Sequence, residues 1–228
     1  MNVAHNNTVK EKILHATKNL FYEFGYEKTT ARMIADRVSM YHSNIFYYFP
    51  NKRSILKLII RNFFQEIRKQ VLNLQIELSP VELLLFYVYI LMKYLELDEK
   101  FKRLYYESTD VTIEVLYQDF IIQLYPLVDG KANSKGQEQQ RKEYFMDLVV
   151  LLSSEKQLEF YRKNKLIAIT EEEMRNYFTK LNLKLLDIDE ETIETSFEKI
   201  DQYMNRFDFS TLNIFTDDVV ISLMEEEK

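Results

Sequence analysis

Residues 25–56 read GYEKTTARMIADRVSMYHSNIFYYFPNKRSIL. Thr29-Thr30 supplies a hydroxyl N-cap for a helix carrying Ile34, Ala35 and Val38. After Ser39 and Met40 a second short segment runs from Tyr41 to Tyr48. Pro50 ends it, because the residue before a proline is pushed out of the helical region. Upstream, Thr8-Val9-Lys10-Glu11 has the form of a capping box, and Ile13, Ala16, Leu20, Phe21 and Phe24 recur at helical spacing until Gly25 stops them. Helices over 9–24, 30–37 and 41–47, the last two joined by a tight turn, have the lengths of a helix-turn-helix unit. Ala35 is small enough for a close helix crossing, and Ile45 and Phe49, four apart, are expected to seat the third helix on Phe21 and Phe24.

With Ile45 and Phe49 turned inward, His42, Ser43, Asn44 and Tyr47 fall on the other faces of that helix, near its N-terminal end. A recognition helix meets base edges there. Asn and His offer directional donors and acceptors for the major-groove code, and Ser and Tyr hydroxyls serve bases or phosphates. Arg32 and Lys52 would flank the groove as cations. The chain's net charge of −6 is unevenly spread. Residues 1–56 carry 8 Lys/Arg against 4 Asp/Glu, a charge of +4, while the remainder carries 22 against 32, a charge of −10. A basic module therefore precedes an acidic body, which suits a polyanionic partner for the first and not the second.

The rest of the 228 residues also reads as helix, since only 3 Gly and 3 Pro leave little turn chemistry for hairpins. Asn51 caps a long helix through Ile55, Leu58, Ile59, Phe63, Ile67, Val71 and Leu74. Ser79-Pro80-Val81-Glu82 opens another, to about Leu97, with an N-cap Ser, Pro at the first helical position and Glu three residues on. Further helices are expected over 98–108, 110–126, 137–164, 170–181, 190–205 and 211–225, with a polar glycine-containing loop over 129–136. The fold class is all-α, divided into an N-terminal helix-turn-helix domain, 1–50, and a larger helical domain, 51–228.

The complete absence of Cys excludes disulfides, thiolate catalysis and iron–sulfur ligation, and suits a cytoplasmic location. The longest apolar run, LLLFYVYILM at 83–92, is ten residues against the roughly 20 a membrane span needs, and the N-terminus has no signal-peptide pattern, so no membrane partner is expected. His5, His15 and His42 form no ligand-like pair, and Gly25, Gly130 and Gly136 assemble no phosphate loop. No metal, cofactor or catalytic set is expected, and the chain does not read as an enzyme. The cluster Glu171-Glu172-Glu173 is accounted for by the dipole of the helix it opens.

In order and spacing, Phe21, Gly25-Tyr26, Thr29-Thr30, Ile34-Ala35, Ile45, Phe46, Tyr48-Phe49-Pro50, Lys52 and Leu56 resemble the DNA-binding signature of TetR/AcrR-type transcriptional regulators, over about residues 10–56 without gaps. The resemblance implies a homodimer on double-stranded DNA, with a helical C-terminal domain that dimerises and takes a small apolar or amphipathic inducer. By position it implies DNA contacts from Thr30 and Arg32 on the second helix and from Tyr41, His42, Ser43, Asn44 and Tyr47 on the third. Tyr48 and Lys52 would hold backbone phosphates. It also favours a ligand pocket among helices over 80–126, with Phe86, Tyr89, Tyr105, Tyr117 and Phe120 as candidate walls.

Two departures from the family pattern stand out. The usual small-Gly-Val-Ser turn is here Val38-Ser39-Met40-Tyr41, so either Ser39 adopts a left-handed conformation at some cost or the turn differs locally. Phe46 stands where a tyrosine commonly reaches a phosphate, which makes it a packing residue. The function expected is a ligand-responsive dimeric regulator, a repressor on a near-palindromic operator. The alternative is a TetR-like adaptor or coactivator that works through protein partners, with the altered turn as its ground.

Overall fold

The structure is a computed structural model describing residues 2–130, 136–205, 207–208 and 222–223. Four helices come first: α1 (Asn2–Phe24), α2 (Ala31–Arg37), α3 (His42–Tyr48) and α4 (Lys52–Asn73). α1 runs straight through the Thr8 capping box, so that box does not start it; the helical pattern from Thr8 onward continues back to Asn2. Its inward stripe is Ile13, Ala16, Thr17, Leu20 and Phe21, and this stripe ends before Phe24, which is 41% exposed and does not help to seat α3. Phe21 is fully buried.

α2 starts where its hydroxyl cap requires, with the Met33 N–H donating to the Thr30 side chain. Between α2 and α3 the chain turns through Ser39 at φ +55°, the left-handed conformation that the missing glycine would have adopted freely. For an L-residue that conformation costs about 1–2 kcal/mol, while glycine's extra freedom in the unfolded chain returns roughly half of any gain. Ser39→Gly is therefore expected to raise the midpoint of thermal unfolding by about 2–4 °C, the shift that roughly 1 kcal/mol gives in a chain of this size. A calorimetric scan of the two proteins checks it.

The body is built from α5 (Pro80–Leu97), α6 (Glu99–Glu107), α7 (Thr109–Leu116), α8 (Ile122–Val128), α9 (Gln137–Lys163), α10 (Glu171–Leu185) and α11 (Glu190–Met204). Ser79 and Glu82 form a reciprocal capping box with Pro80 at the first helical position, and Thr170 and Glu173 form a second one. The segment expected as one helix over 110–126 is interrupted by a π-helical turn, Tyr117–Ile121, and Pro126 lies inside α8. α5 is the central element, packed on α6, α8, α10 and α11, while α7 lies between α4 and α9. One continuous apolar core runs from Ile13 in α1 to Phe207.

The helix expected over 211–225 is corrected where it can be described. Ser222–Leu223 form β2 and pair antiparallel with β1, Phe207–Asp208, so backbone hydrogen bonding there goes to a neighbouring strand instead of along a helix. The other residues of that segment, and the centre of the polar loop at 131–135, lie outside the described residues. Among the described residues no helix is long and apolar enough to cross a membrane, and no group of three or more His, Cys, Asp or Glu could hold a metal ion.

Candidate nucleic-acid interface and interior cavity

α3 has two chemically opposite sides. Ile45 is 1% exposed and Phe49, at its C-cap, 4%, with the Lys10 ammonium 5.4 Å from the Phe49 ring centroid. His42, Ser43, Asn44 and Tyr47 are all exposed, Tyr47 at 76%, and so is Tyr41, the N-cap, whose side chain caps nothing. Phe46 is packed edge-on beneath the His42 ring at 5.0 Å, and Tyr47 meets Tyr48 in the same manner at 5.1 Å. The rings thereby restrict the rotamers of His42 and Tyr47 without covering their polar atoms. Thr30 and Arg32 are exposed on α2, Thr30 with its oxygen already engaged in the cap, and Tyr48 is half-buried.

Lys52 is engaged differently from a free surface cation. Its ammonium donates to the Tyr26 and Thr29 carbonyls at 2.6 and 2.9 Å and lies 4.2 Å from the Tyr26 ring centroid. Burial pulls its pKa below the ordinary lysine value, opposed by the nearby Glu107 and Glu27 carboxylates. Lys52 is a staple across the turn that precedes α2. The Thr29 hydroxyl, within hydrogen-bonding distance of the Leu20 and Gly25 carbonyls, holds the same turn from inside.

Among the polar contacts that hold the three-helix unit and α4 against the later helices, two sets stand out. In the first, Glu107 of α6 accepts from the Tyr26 and Glu27 backbone N–H groups, while Arg103 donates to the Tyr22 and Glu23 carbonyls that end α1. Gly25 sits here at φ +90°, where a Cβ would lie 2.7 Å from the Glu107 carboxylate. In the second, α4 sets Arg53, Lys57 and Arg61, one helical turn apart, against Asp110, Glu114 and Asp119. Asp119 belongs to the π-helical turn, and its Oδ2 takes the Arg61 Nε–H at 2.6 Å.

Beneath that turn lies a cavity of about 120 Å³. Its lining is almost wholly apolar, with Phe64 of α4, Leu91 of α5, Leu116, Phe120 and Ile121 around the turn, and Leu148 and Leu152 of α9. Of the five aromatic residues expected at a pocket, Tyr105 and Phe120 line it and three do not. Phe86 is fully buried against Phe207, Tyr89 is packed between Phe197 and the Arg175 guanidinium, and Tyr117 turns to Phe145, so the core and the α9 surface claim these rings.

Sequence reasoning missed the polar groups on the cavity wall. Glu155 of α9 lines it at 2% exposure, accepting from the Tyr106 hydroxyl at 3.0 Å, while the Tyr125 hydroxyl donates to Asn182 Oδ1 at 2.7 Å. A signal was present. Leu148, Leu151, Leu152 and Glu155 share one helical phase, which puts a carboxyl on an apolar stripe.

Burial pushes the Glu155 carboxyl up to about 7; Glu159 adds to the rise and the Tyr106 hydrogen bond opposes it. The other polar side chains lining the cavity are Tyr87, Tyr105, Tyr125, Thr179 and Asn182. The folded protein then holds a proton that the unfolded chain releases near its ordinary carboxylate value. Stability is fully present below about 4.5 and falls as pH rises from there to about 7, by roughly 3 kcal/mol at 1.36 kcal/mol per unit. Glu155→Gln is expected to flatten this slope, which denaturant titrations at pH 5 and 8 would reveal.

Residues 13–59 match the family model described as bacterial regulatory proteins, tetR family. A protein of Lactococcus lactis subsp. lactis, described as an uncharacterized HTH-type transcriptional regulator in the lacX 3' region, is 34% identical over 73 residues. That alignment covers 32% of this chain and 37% of the relative, so the chain aligns with well under half of the relative's length. Among solved structures, RolR in complex with resorcinol aligns over 96% of this chain and 98% of its own at 10% identity, with a TM-score of 0.59, a likeness of fold. A transcription regulator from Shewanella sp. PV-4, assigned to the tetR family, covers 77% of this chain and 96% of its own at 13% identity, with a TM-score of 0.45.

Proposed function

We propose that this chain, whose residues 13–59 match the tetR family of bacterial regulatory proteins, is a ligand-responsive, dimeric repressor that reads a near-palindromic operator in cytoplasmic DNA. The observation that carries the reading is the division of α3. Ile45 and Phe49 are buried, and His42, Ser43, Asn44 and Tyr47 stand outside on the same two turns. Residues 1–50 act as the DNA-binding domain and 51–228 as the ligand-binding and dimerisation domain. Base edges are read by His42, Ser43, Asn44 and Tyr47, while Thr30, Arg32, Tyr41 and Tyr48 meet the backbone or flanking bases. Lys52 adds positive potential near the phosphates while holding the turn.

The dimer forms through α9 and α10. Met146, Val150 and Tyr161 recur along one exposed face of α9, and Tyr177 and Leu185 are exposed on the adjoining α10. Large apolar side chains clustered at a surface favour association. Two copies joined there would set their recognition helices one helical turn of DNA apart, roughly 34 to 36 Å.

The cavity is the effector site, with Tyr105 and Phe120 on its wall. RolR was solved with the single-ring molecule resorcinol, and the cavity here is on the scale of one ring, since an apolar cavity of roughly 150 Å³ accommodates benzene. A ligand pressing on Phe120 and Ile121 would move the π-helical turn, and Asp119 in that turn grips Arg61 of α4. α4 begins beside the recognition helix at Lys52, so its displacement changes the separation of the two reading heads. Coupling of about 1–3 kcal/mol would change DNA affinity roughly 5- to 150-fold. Arg61→Ala is expected to leave operator affinity within about threefold and to abolish most of the ligand effect on it. Anisotropy titrations with and without a molecule found to occupy the cavity decide the matter; undiminished coupling in the variant would move the path elsewhere.

A further inference from the structure

We propose that the cavity takes an apolar molecule bearing a protonated amine, with Glu155 as its counter-ion and the Tyr105 hydroxyl oxygen as a second acceptor. The inference rests on the reading of the cavity as the effector site. Among the described residues, Glu155 differs from the other strongly buried ionisable side chains. Lys102 is paired with Glu99 and Glu171, and Glu159 with Arg162 and Lys163. Among the described residues no cation reaches Glu155, and its single hydrogen bond comes from Tyr106. A carboxyl kept away from both water and a counter-ion is costly, and its position on a cavity wall leaves the missing partner to come from outside the chain.

The second observation is independent. Tyr105 also lines the cavity, and its hydroxyl is buried without a hydrogen-bond partner among the described residues. An orphaned buried hydroxyl calls for an explanation, and a ligand polar group supplies one. An ammonium has three N–H donors and no acceptor, so a carboxylate and a phenol oxygen on the wall of an apolar chamber satisfy it. Phe64, Phe120 and Tyr125 line the same space, and aromatic rings attract a cation close to them. A carboxylate ligand would be repelled by Glu155. A neutral hydrocarbon would leave both polar groups as they are.

The test uses the full chain and three probes of one shape: benzylamine, benzyl alcohol and benzoate. Calorimetry is expected to give benzylamine the tightest binding, with Glu155→Gln weakening it about 10- to 150-fold, the range of a charge-assisted hydrogen bond, and leaving benzyl alcohol nearly unchanged. Tyr105→Phe should weaken benzylamine about 2- to 10-fold and decides the question if the Gln variant fails to fold. Benzyl alcohol or benzoate binding as well as the amine, no binding of any of the three, or an amine affinity indifferent to both variants would overturn the proposal. Operator binding by the same preparations separates the two readings. DNA binding without amine binding leaves the repressor reading standing and removes this one, whereas amine binding without DNA binding does the reverse.

Discussion

Alanine at both His42 and Asn44 is expected to reduce operator affinity by roughly 30-fold to 10⁴-fold, since each well-placed base contact contributes about 1–3 kcal/mol. Binding to unrelated duplex should scarcely change. The reason lies in α3, where both side chains are exposed and uninvolved in holding the helix, whose seating is the work of Ile45 and Phe49. Arg32→Ala supplies the contrast. Its guanidinium is exposed on α2, and its removal should weaken all sequences alike while lowering the slope of log affinity against log salt by about one. Competition anisotropy at several salt concentrations separates the two patterns. If the double variant lost specific and nonspecific binding in equal measure, the division between base readers and phosphate cations would be wrong.

Phe49→Ala is expected to be among the most destabilising single changes in the DNA-binding unit. A buried phenylalanine truncated to alanine loses about 3–5 kcal/mol. At about 2–4 °C per kcal/mol for a chain this long, the unfolding midpoint should fall by roughly 6–20 °C. Phe49 is both the inward anchor and the C-cap residue whose N–H closes α3 on the Ile45 carbonyl. Loss of the ring therefore frees the recognition helix before the body unfolds, so specific DNA binding should weaken at temperatures where circular dichroism still reports a folded chain. A midpoint within 2 °C of the parent protein's would mean that α3 is seated by other contacts.

The helix starts were legible because each is a local hydrogen-bonding decision. Ser79 with Glu82, Thr170 with Glu173, and Asn51 each cap the helix that their spacing announces. Thr8 with Glu11 announces one equally well and is overridden, since the helix already extends through it. The polar flank of α3 was legible because burial of two residues four apart dictates where the rest of a seven-residue helix points. The altered turn still joins α2 to α3 tightly, with Ser39 taking the left-handed conformation and Tyr41 making no side-chain cap.

What depended on distant partners was not legible. Nothing in the local pattern of Tyr117–Ile121 announces a π-helical turn, and its consequence, Asp119 reaching Arg61, joins residues 58 apart. Phe86, Tyr89, Tyr105, Tyr117 and Phe120 are alike in composition, yet which of them face a void depends on where α9, α10 and β1 come to rest. Lys52 looked like a surface cation because its acceptors are two backbone carbonyls, which side-chain identities do not reveal.

The most direct test of the central claim is selection of duplexes from a random-sequence pool by the 228-residue chain, followed by footprinting of the recovered sites. The account predicts an inverted repeat with two protected half-sites on one face of the duplex, centred roughly 34 to 36 Å apart, and its loss when His42 and Asn44 are replaced. A pool that emerges without enrichment, or a site recovered equally well by the doubly substituted protein, would contradict it.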